Sequence, residues 1–267
     1  MKGKSVLITG GTSGIGLELA RLFARDGYKL VIVARDEAEL ASAAERIKDE
    51  YNAEVTTISK DLFEPDGAFD LYEEVKAKGI TIDVLVNNAG QGQYGLFVDT
   101  DINRELEIIQ LNISSLVVLT KLYLKEMVMR GEGKILNVSS VASKIPGPWQ
   151  AVYHGTKAFV QSFTEAIRSE IKDTDKDITI TALLPGVTDT DFFNKAEMTD
   201  SKAVQDKDKM ADPADVAKDG YDALMRGDDK VVSGFMNKVQ VAISNVTPEA
   251  AVAEQVKKQQ EPVDKNK

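Results

Sequence analysis

The eight residues Thr9-Gly10-Gly11-Thr12-Ser13-Gly14-Ile15-Gly16 restrict the fold more than any other stretch of this chain, because four glycines separate an apolar run from an amphipathic one. Residues 5–8 (SVLI) have the composition of a buried parallel strand, while Leu17, Ala20, Leu22, Phe23 and Ala24 recur at helical spacing. Strand, tight turn and helix thus follow one another within about 25 residues. Glycine takes positive φ without a Cβ clash and lets backbone N–H groups approach a pyrophosphate at a helix N-terminus. The stretch therefore reads as a phosphate-binding turn. Taken alone, the pattern equally suits a glycine-rich loop that binds nothing.

The rest of the chain keeps the alternation. Strands are predicted at 29–33, 54–59, 82–86, 134–138, 177–184 and 230–233. Helices are predicted at 36–50, 65–78, 100–130, from about 152, and from Pro213 with Asp212 as N-cap. Strictly alternating elements predict one doubly wound α/β domain over 1–243. It holds a parallel sheet of about seven strands between helices, with ligands at the strands' carboxyl ends. Residues 187–211 are polar and too long for a mere connection, which marks them as a lid or binding loop. The remainder, 244–267, is expected to form a short helix from Thr247-Pro248 and a charged end that frays from about Gln259.

The carboxyl ends carry the candidate ligand contacts. Arg35 lies 19 residues after Gly16, where an arginine suits the 2′-phosphate of NADP; Asp36 beside it leaves NAD as the alternative. Asp61, just past the third strand, is placed either to accept from an adenine amino group or to cap the next turn. The small and amide residues Asn87-Asn88-Ala89-Gly90 suit backbone passing close to a ligand. Composition narrows the partners. A net charge of -10 over 267 residues supplies no basic stripe for nucleic acid. With no cysteine, disulfide and thiolate chemistry drop out, and no metal site is predicted. A strand starting near Ser5 leaves no room for a signal peptide, and no apolar run is expected to reach the roughly 18 residues of a membrane span. The chain is expected to be cytoplasmic.

Tyr153-His154-Gly155-Thr156-Lys157 puts a phenol and an ammonium four residues apart on one helix face. A positive charge favours the phenolate, so Lys157 is expected to lower the Tyr153 pKa and make it an acid/base near neutrality. His154 should point about 100° away from Tyr153 and take no part in catalysis. Trp149, Phe192 and Phe193 are read either as substrate walls or as packed loop residues.

Taken in order, TGxxxGxG, NNAG, Asn112, Ser140, YxxxK thirteen residues later and Pro185-Gly186 resemble the classical short-chain dehydrogenase/reductase family. The resemblance covers about residues 3–235. It implies a catalytic tetrad of Asn112, Ser140, Tyr153 and Lys157, Ser140 being preferred to Ser139 for its spacing. In that scheme Tyr153 exchanges the proton, Ser140 binds the substrate oxygen, Lys157 holds the nicotinamide ribose and Asn112 positions a relay water. Cofactor contacts are implied at Gly10, Thr12, Ser13, Gly14, Ile15, Gly16, Arg35, Asp61, Leu62, Asn87, Ala89, Gly90, Tyr153, Lys157, Pro185, Gly186, Thr188 and Thr190. Many NADP-using relatives have a basic residue where this chain has Ser13, so NADP preference rests mainly on Arg35.

The expected function is an NADP-dependent carbonyl reductase or alcohol dehydrogenase acting on a small carbonyl or alcohol substrate. A catalytically silent NADP-binding regulator is the rival reading. Epimerase or dehydratase chemistry is the third, set aside because it usually comes with a longer carboxyl-terminal domain. Apolar positions on more than one stripe of the 100–130 helix and of the helix after Tyr153, together with the resemblance, point to a homodimer or homotetramer.

Overall fold

A computed structural model describes residues 3–206, 210–244 and 246–263. Its seven parallel strands run β1 Ser5–Thr9, β2 Lys29–Ala34, β3 Val55–Ser59, β4 Val84–Asn87, β5 Glu132–Val138, β6 Asp177–Leu184 and β7 Lys230–Val232. They are ordered β3-β2-β1-β4-β5-β6-β7. The order reverses between β1 and β4, and there the strand ends open a crevice. The helices are α1 Gly14–Arg25, α2 Glu37–Tyr51, α3 Gly67–Ala77, α4 Ile102–Ile109, α5 Leu116–Arg130, α6 Ala151–Lys172, α7 Phe192–Lys195, α8 Pro213–Arg226, α9 Phe235–Ser244 and α10 Glu249–Gln260.

Alternation along each strand fills both faces of the sheet. Val6, Ile8, Leu30, Ile32, Val84 and Val86 pack with residues of α1, α2 and α8. Leu7, Val31, Val33, Leu85 and Ile135 pack on the other face with residues of α3 and α5. Because both side-chain sets are buried, the strands read as unbroken apolar runs. At the ends of the helices local chemistry takes over: Asp36 and Asp212 cap α2 and α8 by accepting from Glu39 N and Ala214 N, each at 2.8 Å.

Four expectations need correction. The single helix read over 100–130 is interrupted by a π-helical turn at Gln110–Ser115. Pro65 lies before α3, which opens at Gly67 behind Asp66. α9 forms no part of the expected pattern; Met236, Val239 and Ile243 give it an apolar stripe, yet none of its residues is buried. The predicted fraying does not hold for 259–263. Ser201 Oγ donates to Gln260 O at 2.9 Å, Lys202 N to Glu261 O at 3.1 Å and Val263 N to Asp200 O at 2.8 Å, fixing the end to the 187–211 segment. Residues 264–267 lie outside the described residues.

The helix Ile102–Arg130 also corrects the expectation of no span-length apolar run: within its 29 residues an 18-residue stretch reaches a mean hydropathy of 1.3, so by length and composition alone it could cross a membrane. Here it is a core helix, with Leu111, Leu119, Tyr123 and Met127 packed against the sheet.

Candidate active site

At the crevice the glycine turn is held by backbone and by Asn88. Thr9 Oγ1 accepts from Asn88 N and Ala89 N at 3.1 and 3.0 Å, while Asn88 Nδ2 donates to Thr9 O and Gly10 O, both at 3.0 Å. Gly10 sits at φ +66°. A Cβ on Gly16 would lie 2.2 Å from Gly10 O, so only glycine lets the turn close over the start of α1. Ser13 is the N-cap of α1 and makes no side-chain cap bond. The first-turn N–H groups, which no helix satisfies internally, thus adjoin a cleft lined by Gly10, Thr12, Ser13, Gly14, Ile15 and Gly16. This cradle, which a Cβ would fill, fits a dinucleotide pyrophosphate.

The cleft, of about 1000 Å³, continues past Arg35, Leu62, Ala89, Gly90, Ser140, Tyr153, Lys157, Pro185, Gly186, Thr188 and Thr190. Three expected site residues do not line it. Asn87 is buried, its Nδ2 donating to Thr120 Oγ1 at 2.9 Å and Asn137 Oδ1 at 2.8 Å. β4 runs one residue further than expected, through Asn87, so Asn87 faces the core and Asn88 the cleft. Asp61 Oδ1 accepts from Phe63 N at 2.9 Å, the turn-capping alternative, and its Oδ2 lies 3.8 Å from Arg35 Nη1. Asn112 stands behind the wall, its Oδ1 accepting from Gln91 N at 3.0 Å and its Nδ2 donating to Gln91 O and Thr156 Oγ1 at 2.8 and 3.0 Å. It sits in the π-helical turn, a local irregularity that recurs at functional sites. Arg35 lies over the Phe63 ring, 4.7 Å from its centroid, and Arg104 is 5.0 Å from the same ring.

Ser140, Tyr153 and Lys157 meet at the end of β5. Ser140 Oγ accepts from Ala142 N at 3.1 Å and donates to Pro185 O at 3.3 Å. Ser139 has its hydroxyl committed to Lys157 O at 2.8 Å, which agrees with the choice of Ser140. Lys157 Nζ donates to Val138 O at 2.9 Å and lies 5.7 Å from the Tyr153 ring centroid. Gly90 passes so close that a Cβ there would lie 3.2 Å from Lys157 Nζ and 3.3 Å from Asn112 Oδ1. Burial sets the electrostatics, contrary to the expectation that Lys157 lowers the Tyr153 pKa. It pushes the Tyr153 phenol up to about 12, only the Ser140 hydrogen bond opposing it, and brings the Lys157 ammonium down to about 8.

On the far side of Tyr153 the cleft is closed by Phe192 and Phe193, which the sequence offered as walls, and by Gln150 and Gln260, which it did not single out. Phe192 lies 5.0 Å from the Tyr153 ring, ring to ring, with Phe193 beside it. Phe192, Phe193, Met198, Gln150, His154 and Gln260 all line the cavity, so the 187–211 segment does serve as a wall. Trp149 does not; it stacks on Tyr94 with centroids 5.5 Å apart, the packed alternative. His154 is buried with Nδ1 2.9 Å from Ile145 O.

A family model described as short chain dehydrogenase matches residues 4–201. A very-long-chain 3-oxoacyl-CoA reductase of Rattus norvegicus is 36% identical over 189 residues, 68% of this chain and 59% of the relative, so the chain spans about three-fifths of that relative's length. Dehydrogenase/reductase SDR family member 7B of Rattus norvegicus is 30% identical over 253 residues, 91% of this chain and 77% of the relative. Among solved structures, a short-chain dehydrogenase from Sphingobium yanoikuyae in complex with NADPH aligns with a TM-score of 0.78 at 27% identity, over 92% of this chain and 97% of that one. The chain belongs to the short chain dehydrogenase family and has its oxidoreductase fold.

Proposed function

We propose that this short chain dehydrogenase moves a hydride between NADP(H) and a carbonyl or secondary alcohol, with Tyr153 as the general acid and base. The observation that carries the reading is the convergence of Ser140, Tyr153 and Lys157 on the same cleft as the glycine turn. A protein that merely sensed the dinucleotide would need the turn but not a buried phenol and ammonium beyond it. Gly10, Gly14, Gly16 and the start of α1 would hold the pyrophosphate, and Arg35 the 2′-phosphate. When bound, NADPH supplies the hydride.

The chain's own residues handle the proton. The Tyr153 hydroxyl gives its proton to the substrate oxygen while the Ser140 hydroxyl, turned away from Pro185 O, donates a hydrogen bond to the same atom. The phenolate left behind takes its proton back from solvent, and the Lys157 ammonium would hold the nicotinamide ribose. Ser140 cannot replace Tyr153 as the acid, because an aliphatic hydroxyl is a far weaker acid than a phenol. Phe192 covers the Tyr153 ring and keeps bulk water from the transfer. Asn112, bonded to both polar groups of the Gln91 backbone, holds that stretch of wall. The relatives named as 3-oxoacyl-CoA reductases put 3-oxoacyl thioesters first among substrates to try.

The test is NADPH oxidation measured against ketones, aldehydes, sugars and 3-oxoacyl thioesters, with NADH run alongside. Turnover of one class with NADPH preferred is expected. Tight NADPH binding with no turnover across the panel would favour the silent regulator. A self-associating protein is part of the proposal: Ile102 and Leu106 on α4 and Phe159 on α6 leave 59%, 55% and 40% of their surface exposed. Light scattering should give a multiple of 29.1 kDa at micromolar concentration, and the monomer mass would reject association.

A further inference from the structure

Two buried side-chain amides on the substrate side of the cleft have incomplete hydrogen bonding. Gln150 is 5% exposed and Gln260 9%. Gln150 Nε2 and Gln260 Oε1 have no partner, and both residues line the cavity that contains Tyr153. A buried polar atom left unpaired is costly and calls for a ligand or water.

His154 fixes which way Gln260 faces. Ile145 O, 2.9 Å from His154 Nδ1, can only accept, so Nδ1 carries the proton. Burial lowers the His154 pKa and keeps the ring neutral, which makes Nε2 an acceptor. Gln260 Nε2, 3.3 Å away, therefore donates to it, and Gln260 Oε1 is left as an acceptor. The opposite polarity comes from Gln150. A Cβ on Gly92 would lie 3.3 Å from both Gln150 Nε2 and Tyr153 Cδ2, and 3.1 Å from Phe192 Cζ. The Gln150 donor, the phenol ring and the wall ring thus meet around one glycine.

The corner is built rather than loose. Tyr94 Oη and Ser201 Oγ donate to Gln260 O at 2.5 and 2.9 Å. Trp149, stacked on Tyr94, holds φ at +71°, a strained left-handed conformation for a large side chain, immediately before Gln150. One unpaired donor and one unpaired acceptor in the same cleft match a group that can both accept and donate. A hydroxyl and an amide bearing N–H are neutral groups of that kind.

We propose that Gln150 and Gln260 form a substrate subsite for such a second polar group, so that the preferred substrate is a bifunctional carbonyl compound. The subsite rests on the carbonyl-reduction reading above. A plain ketone leaves Gln150 Nε2 and Gln260 Oε1 unpaired, and sites built around a substrate hydroxyl reject analogues that lack it.

The full chain is assayed with NADPH on aliphatic ketones and on matched hydroxyketones whose hydroxyl is stepped along the chain. A second arm uses 3-oxoacyl thioesters of N-acetylcysteamine, which carry a secondary amide, against the corresponding simple 3-oxo esters. A preference of at least about tenfold for the hydroxyl or amide member is expected, and the arm that shows it identifies the group. Gln150→Met and Gln260→Met should each bring that ratio close to one. A wild-type ratio near one in both arms, or a ratio that survives both substitutions, overturns the subsite and leaves a water-filled corner. Should the protein reduce no carbonyl at all, the mechanism fails and calorimetry on NADPH-loaded protein decides the subsite separately. A diol bound at least about tenfold more tightly than the matched mono-alcohol, with the difference lost in Gln260→Met, supports it; equal affinities overturn it.

Discussion

The two ends of the cleft are made of different material. At the cofactor end the surface is backbone: glycines, the first turn of α1, and strand ends tied together by Thr9 and Asn88. At the substrate end it is side chains from segments far apart in sequence, with Gln150, Tyr153, Phe192 and Gln260 gathered around Gly92 and His154. A backbone surface tolerates almost no change in shape, which is why it demands glycine where the chain passes closest. The side-chain surface tolerates changes in shape and takes its specificity from each residue placed there.

Substitutions can break or sharpen that contrast. Gly16→Val should have the largest effect, because even its Cβ would collide with Gly10 O at 2.2 Å and Asn88 Nδ2 at 2.5 Å. Overpacking at that level costs about 1–3 kcal/mol or more. NADPH affinity measured by calorimetry should fall by about a hundredfold or beyond detection; unchanged affinity would mean the turn is not the pyrophosphate cradle.

The pH profile probes the substrate end. Reduction needs Tyr153 protonated and Lys157 charged. With the phenol at about 12 and the ammonium at about 8, Tyr153 keeps its proton through the working range, while Lys157 loses its charge as pH rises through about 8. Reductive kcat/KM should be level between about pH 6 and 7 and decline above about 8, at most tenfold per pH unit for one proton. A decline that began only near pH 10 or above would assign the limb to Tyr153 instead.

Arg35→Asp comes next. It replaces a charge-assisted contact of about 1.5–3 kcal/mol with a repulsion, so the NADPH-over-NADH ratio should drop by about tenfold or more. Equal kcat/KM for the two cofactors in the wild type would remove the assignment. Lys202→Ala should have the smallest effect. Its ion pair with Glu261, 3.2 Å long, is almost half exposed on both sides, so the loss in stability should stay within about 1 kcal/mol. A thermal shift consistent with several kcal/mol would show that the pair, rather than the backbone bonds of Ser201, Lys202 and Val263, fixes the chain end.

The same contrast explains what could be read in advance. The glycine turn, Arg35 and the Tyr153–Lys157 pair are local patterns, visible within one turn or one strand-to-helix junction. Asn87, expected at the cofactor wall, instead faces the core because β4 runs one residue further, and side-chain alternation along the strand sends Asn88 to the cleft. The π-helical turn around Asn112 leaves the apolar pattern of the helix intact and so leaves no periodic signal. Gln260 stands 106 positions from His154 and meets it only through tertiary packing. The lysine's effect on the phenol was read from spacing alone; burial, which spacing cannot report, governs both groups.

Tyr153→Phe tests the central claim most directly, because it keeps the ring packed against Phe192 and deletes only the oxygen proposed to exchange a proton. Turnover of the best carbonyl substrate and NADPH binding should be measured side by side on the same preparation. Turnover should fall by about 10²–10⁴, the usual loss for a general acid, with NADPH affinity nearly unchanged. A variant that still reduced its substrate at the wild-type rate would contradict Tyr153 as the acid and, with it, the proposed mechanism.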